Sequence, residues 1–198
     1  MAPGISLLCV LLGASQSGVS LVRDDQLGLL ARMLHTPLSP AALLLGKLLA
    51  DVVRLLLTAL VALALGAALG ATFTPSWSQL PAALAAVVAL AVLLCSLSCA
   101  FAALARAPEP MGAYVHLVNM PLLFTSTALV PGRQLPDWLA VAAPFNPLSA
   151  AVEGWRALWL GSGAAGLASL GALSAAALLA FALATWCLAR LARQPGLG

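Results

Sequence analysis

The sequence predicts an all-α integral membrane protein, with five transmembrane helices, one cytoplasmic amphipathic helix and two short outer-leaflet helices. Three observations predict it. Hydrophobic residues make up 63% of the 198-residue chain and charged residues only 8%. A soluble domain carries roughly a quarter charged residues, because its surface must be solvated. The mean hydropathy is +1.06. The apolar residues also fall in runs of about twenty, the length that crosses a hydrocarbon core at 1.5 Å per residue.

The apolar runs lie at about residues 4–22, 41–71, 80–105, 112–130 and 163–189, and the second is wholly apolar only from Leu55. They read as one transmembrane domain over residues 1–198. Alanine and glycine are abundant in them, with a small-residue pair at Gly66 and Gly70. Small residues let helix backbones approach closely in lipid.

Charge orients the bundle. Arg23, Arg32, Lys47, Arg54, Arg106, Arg190 and Arg193, seven of the nine basic residues, fall on one side, and Arg133 and Arg156 on the other. The positive-inside rule makes the first side cytoplasmic. Trp77, Trp138, Trp155 and Trp159 are expected in an outer interfacial belt, with Trp186 at the inner boundary. The expectation is a multi-pass protein of the cell (plasma) membrane, with its N-terminus outside and its C-terminus in the cytoplasm. The opening Met1-Ala2-Pro3-Gly4 has no basic stretch before its apolar run, so a cleaved signal peptide is not expected there.

Several chemistries are excluded. The net charge is +3 with no basic stripe, which leaves no nucleic-acid signature. Cys9, Cys95, Cys99 and Cys187 all lie in apolar stretches, where thiols act as small hydrophobes. Cys95 and Cys99, one turn apart, have no His or carboxylate beside them in sequence to complete a metal site. There is no GxxxxGK[ST], so this chain binds no ATP through a P-loop. Gly13-Ala14-Ser15-Gln16-Ser17 is half a nucleophile elbow, with Ser17 where the second glycine belongs. No HExxH occurs, and no enzyme is recognisable. Neither catalytic nor metal-ligating residues are expected, and the chain itself is expected to hold no cofactor.

Polar residues gather in four places. Residues 23–40 form a cytoplasmic loop in which Asp24 and Asp25 open a helix, Leu27, Leu30 and Leu34 share a face, and Pro37 and Pro40 stop it. Acids at the start and Arg32 near the end suit the helix dipole. Such a helix lies on lipid or docks in a partner's groove. Lys47, Asp51 and Arg54 share one face of the second segment, as a self-satisfied interfacial triad or as a contact with the cytoplasmic loop or a conduction path. In the outer link, residues 131–160, Asn146 is placed to cap a helix that Pro147 opens. Glu153 and Arg156 are spaced to pair on its polar side, and Leu148, Val152, Trp155 and Trp159 cover the other. This link forms an external gate or an interfacial anchor. In the fourth segment His116, Asn119, Thr125, Ser126 and Thr127 line a substrate path or make interhelical hydrogen bonds worth about 0.6 kcal/mol each.

These residues resemble a family. The run Asp24-Asp25-Gln26-Leu27-Gly28-Leu29-Leu30-Ala31-Arg32-Met33-Leu34-His35-Thr36-Pro37-Leu38-Ser39 resembles the signature of ABC type-2 exporter permeases. Pro3-Gly4-Ile5 resembles the start of that family's second membrane helix, and Gly46-Lys47-Leu48-Leu49-Ala50-Asp51 with Arg54 the start of its third. Pro131, Leu135-Pro136-Asp137-Trp138-Leu139 and Asn146-Pro147-Leu148-Ser149, with Glu153 and Arg156, resemble the region before its last helix.

The resemblance implies the family's permease fold and a half-transporter. Such a subunit pairs with a second permease copy, contacts membrane lipid and is driven by cytoplasmic ABC ATPase subunits that bind the ATP and Mg. Residues 24–37 would couple to the ATPase, through Asp24, Asp25, Gln26, Leu27, Gly28, Leu30, Arg32, Leu34 and Pro37. His116, Asn119 and Ser126 are candidates for the substrate path, and Asn146, Pro147, Glu153 and Arg156 for an outer gate. The look is closest to the drug and antibiotic export branch, although lipid and polysaccharide exporters share these motifs. Two positions depart from the pattern: Asp25 stands where a base is usual, and no acid stands near Ala31. The chain is also expected to lack the family's opening amphipathic helix and first membrane helix. Two other functions compete, a non-transporting membrane scaffold and a secondary transporter. The latter usually carries internal repeats with broken helices, and none is visible.

Overall fold

The structure, a computed structural model, describes residues 2–28, 40–68, 80–105, 108–128, 146–159 and 163–192. Six helices account for nearly all of them: α1 (Ala2–Gln26), α2 (Pro40–Ala68), α3 (Leu80–Ala105), α4 (Pro108–Phe124), α5 (Pro147–Trp159) and α6 (Gly163–Ala192). Lipid explains the uniformity, because a chain in hydrocarbon must satisfy its backbone within its own segment, and a helix does so.

Burial sorts the helices into centre and periphery. The membrane spans of α3 and α1 are 61% and 56% buried, those of α2 and α6 only 22% each. α3 packs most extensively on α6 and then on α1, while α1 also meets α2, α4 and α5. Along α6 the buried stripe is Leu173, Ala177, Ala180, Ala184 and Leu188, a three-and-four spacing dominated by alanine. This stripe keeps side chains short where α6 lies on α3. At the periphery Leu45, Leu49, Val53, Leu57, Val61 and Leu65 of α2 and Leu178, Leu179 and Leu183 of α6 are exposed. An apolar face of that extent is stable against lipid and not against water.

Four helices, α1, α2, α3 and α6, are long and apolar enough to cross a membrane. The fifth expected span differs. α4 has 17 residues with Pro121 inside it, and the chain then turns through 125–128 instead of staying helical to 130. Proline removes a backbone donor, and the Thr125 and Ser126 hydroxyls bond back to the Pro121 and Leu123 carbonyls, closing the end of the helix.

The boundary of α1 corrects a second expectation. Asp24 and Asp25 lie in its last turn and do not open a new helix. Leu27 N and Gly28 N bond to the Arg23 and Asp25 carbonyls, and Gly28 has φ +68°, the left-handed conformation glycine adopts where helices end. The acids thus sit at the wrong end of the dipole for α1 alone. Leu30, Arg32, Leu34 and Pro37 lie outside the described residues, as do Trp77, Trp138, the first outer helix expected in 131–145 and the side chain of Trp159.

Candidate functional site

A polar seam runs between α1 and α2. On α1, Gly13, Ser17, Ser20 and Asp24 recur at spacings of four, three and four; on α2, Lys47, Asp51 and Arg54 recur at four and three. Both spacings keep residues on one helix face, and the antiparallel helices set the faces against each other. Lys47 Nζ lies 3.7 Å from Asp24 Oδ2 and donates to Ser20 Oγ at 2.6 Å. Ser20 donates to the Ser17 carbonyl at 2.9 Å. The Ser17 hydroxyl, wholly buried, donates to Asp51 Oδ2 at 2.5 Å. Arg54 pairs with Asp51 Oδ1 at 3.2 Å and donates to the Gly13 carbonyl, also at 3.2 Å. A Cβ at Gly13 would meet the end of the Leu55 side chain, which would have to shift to admit it.

Two acids and two bases balance in this ladder. The inner members are shielded, with 17% of the Lys47 and 13% of the Asp51 side chain exposed; Asp24 and Arg54 are open to 43% and 50%. Charges in a bilayer segment are retained when paired or able to reach the interface, and each here does one or both. The seam corrects the self-satisfied triad. Only Arg54 and Asp51 pair within α2, and Lys47 turns to α1.

The seam branches through neutral groups. Cys99 Sγ of α3 lies 3.4 Å from Ser17 Oγ, and because that hydroxyl proton points to Asp51, the thiol is the donor. Ser98 bridges a turn of α1, donating to the Ser15 carbonyl at 3.0 Å and accepting from Gly18 N at 3.1 Å. Asn119 of α4 donates to Ser15 Oγ at 2.5 Å, and Ser15 donates to the Leu11 carbonyl at 3.2 Å. Every hydroxyl in this branch has a donor and an acceptor role. Chemically the assembly aligns four helices; among the described residues no group of three or more His, Cys, Asp or Glu is placed to hold a metal.

A second polar knot lies where α4 ends and α5 begins. Asn146 Oδ1 accepts from Leu148 N at 2.9 Å, the expected cap of α5. Its amide donates at 2.7 Å to the Leu122 carbonyl, an unpaired acceptor at the end of α4, and at 2.9 Å to Thr125 Oγ1. Ser149 Oγ accepts from Thr127 N at 3.1 Å. Gly4 of α1 abuts the Ala128 carbonyl so closely that no Cβ would fit, which ties this knot to the start of the first helix.

The other expected residues fall as follows. His116 is exposed, Asn119 is bonded to α1, and Ser126 serves its own turn by also accepting from Ala128 N. These three do not converge on one space. The ion pairs among the described residues are those of Lys47 and Arg54, so the expected Glu153–Arg156 pair does not form. Glu153 is exposed, whereas Arg156 is half-buried on the flank of α5. Pro147 opens α5 as expected. Trp155 does not join an interfacial belt; with Leu148 and Val152 it is buried, on the face of α5 that packs against the bundle. Trp186 is half-exposed with the Arg190 guanidinium 3.9 Å above its ring, an amphipathic pair suited to an interface. Asp24 is in the ladder, Asp25 half-buried beside it, and Gln26 and Leu27 exposed. Sequence reasoning missed Gly13, Ser15, Ser17, Ser20, Ser98 and Cys99. The four-three-four recurrence of small and polar residues along α1 was the signal available.

Comparison with known proteins agrees with this architecture. Residues 1–160 match the family model described as ABC-2 type transporter. The daunorubicin resistance ABC transporter permease protein DrrB1 of Streptomyces coeruleorubidus is 32% identical over 160 residues, 81% of this chain and 56% of that one. The "Probable doxorubicin resistance ABC transporter permease protein DrrC" of Mycobacterium tuberculosis is 30% identical over 161 residues, 81% of this chain and 58% of that one. This chain thus matches a little over half the length of these relatives. No solved structure matches it. With four apolar spans, an all-helical fold and a family match over most of its length, the chain belongs to the ABC-2 type transporter family.

Proposed function

We propose that this chain is the membrane-spanning subunit of an ABC exporter that moves a drug-like compound outward. A separate cytoplasmic ATPase subunit binds the ATP and Mg, and a second permease copy completes the pathway. The observation that carries this reading is the match over residues 1–160, together with relatives named for resistance to daunorubicin and doxorubicin. The N-terminus of this chain is outside and its C-terminus cytoplasmic, on the strength of its charge asymmetry. The loop between α1 and α2 then faces the cytoplasm, where Leu30 and Leu34 dock on the ATPase.

Inside-out vesicles from cells expressing the chain with its candidate ATPase test the reading. Expected is ATP-dependent accumulation of daunorubicin, absent when the ATPase is inactivated. The double change Leu30→Asp, Leu34→Asp should abolish co-purification with the ATPase and leave the permease in the membrane, because each buried leucine contributes about 1.5–3 kcal/mol. Accumulation independent of ATP, or retained ATPase binding by the double variant, overturns the assignment and favours a membrane scaffold.

A further inference from the structure

We propose that Asp24 and Lys47 clasp the two stems of the loop joining α1 to α2, and act as positioning residues that carry a push on that loop into both helices together. The proposal rests on the exporter reading for its transport arm only. Asp24 is two residues from the last residue of α1, just before the left-handed turn at Gly28, and Lys47 lies two turns into α2. Their contact at 3.7 Å is therefore the rung of the ladder nearest the loop. An acid in the last turn opposes the dipole of α1, so its position is explained by what it faces across the seam. Lys47 supplies that explanation, and its bond to Ser20 at 2.6 Å fixes the ammonium between two turns of α1. The signature resemblance assigns Asp24 to the ATPase; here its carboxylate is turned to α2.

The contrast between the faces of α1 gives the clasp its consequence. Towards α2 its contacts are the Asp24–Lys47 ion pair and three hydrogen bonds with a charged partner, Lys47 to Ser20, Arg54 to the Gly13 carbonyl and Ser17 to Asp51. Towards α3 and α4 they are hydroxyl, thiol and amide contacts with no charge. Charge-assisted hydrogen bonds are roughly twice as strong as neutral ones. Displacement imposed on the loop is thus taken up at the neutral contacts, and α1 and α2 move as one unit.

The test uses the permease–ATPase complex in lipid nanodiscs. Asp24→Asn and Lys47→Met should each leave the complex assembled, while drug stimulation, taken as the ratio to each variant's own basal hydrolysis, falls about fivefold, the lower end of a site-to-site coupling. The charge swap Asp24→Lys with Lys47→Asp should restore most of it, and Arg23→Gln, next in sequence but outside the ladder, should change nothing. Loss of assembly in the single variants, stimulation within twofold of the parent, or a swap no better than the single changes overturns the clasp. Spin labels at Gln26 and Ala41, measured without ATPase, keep the outcome independent of transport. Neutralising Asp24 should broaden the distance distribution between the stems, and an unchanged distribution overturns the proposal even where the parent transports nothing. Absent stimulation in the parent, with broadening in the variant, counts against the exporter reading alone.

Discussion

Ser17 and Asp51 meet at 2.5 Å across the α1–α2 interface, a wholly buried hydroxyl donating to a carboxylate that Arg54 also holds. One serine thereby joins a charged pair of α2 to the thiol of Cys99 on α3.

Removing the Asp51 carboxylate should be worse than removing the whole pair. Asp51→Leu leaves the Arg54 guanidinium unpaired at bilayer depth and should cost about 3 kcal/mol, whereas Asp51→Leu with Arg54→Leu should cost less, because the unpaired charge is gone. Ser17→Ala, which deletes one interhelical bond, should cost about 0.6–1.7 kcal/mol. Unfolding by steric trapping in bicelles measures all three, and a double variant no more stable than Asp51→Leu contradicts the ladder.

Asn146 should show two separable roles. Asn146→Ala loses the cap of α5 and the tie to Leu122, at a cost of about 1–2 kcal/mol. Asn146→Asp keeps an acceptor for Leu148 N but sets a carboxylate against the Leu122 carbonyl, and should be at least as destabilising as alanine. Thermal melting in detergent checks the order. An aspartate variant as stable as the parent shows that the Leu122 tie contributes nothing.

The glycines should rank by what faces them. A Cβ at Gly4 meets the Ala128 carbonyl, backbone that cannot swing away; one at Gly13 meets the end of the Leu55 side chain, which can. Gly4→Ala should therefore cost about 2 kcal/mol by overpacking. Gly13→Ala should cost under about 1 kcal/mol, since helix propensity returns part of the loss. The reverse order in the same melting assay contradicts the Gly4–Ala128 contact.

How much of this was legible in the residues varies with the kind of signal. Apolar runs placed α1, α2, α3 and α6 closely, because lipid turns composition directly into span. Asn146-Pro147 located the start of α5, since a cap and a fixed φ are local properties. The end of α1 was misplaced because Asp24 and Asp25 look like a helix start, and only a partner on another helix, Lys47, explains acids at a helix end. The seam was half visible. Lys47, Asp51 and Arg54 stand out as charges in an apolar segment, but Ser17 and Ser20 look like ordinary small residues until α2 is laid against them. Trp155 was misjudged because tryptophan marks both interfaces and cores, and packing alone separates the two.

The last prediction concerns sidedness, and two independent arguments meet in it. Gly4 touches Ala128, and Asn146 ties the end of α4 to the start of α5, so the start of α1 and both ends of the 129–145 segment share one face of the bundle. Gln26 lies at the far end of α1, about 33 Å from Gly4 at 1.5 Å per residue. The geometry says which positions share a side; the excess of Arg and Lys around the loop after Gln26 predicts that its side is the cytoplasm. In a Cys-free variant, with Cys99→Ser to keep a donor to Ser17, single cysteines at Ser76 and Asp137 should react with an impermeant thiol reagent outside intact cells. Cysteines at Gln26 and Gln194 should react only after permeabilisation. Labelling confined to Gln26 and Gln194 would invert the orientation and keep the fold, whereas equal labelling of Gln26 and Asp137 would overturn the orientation outright.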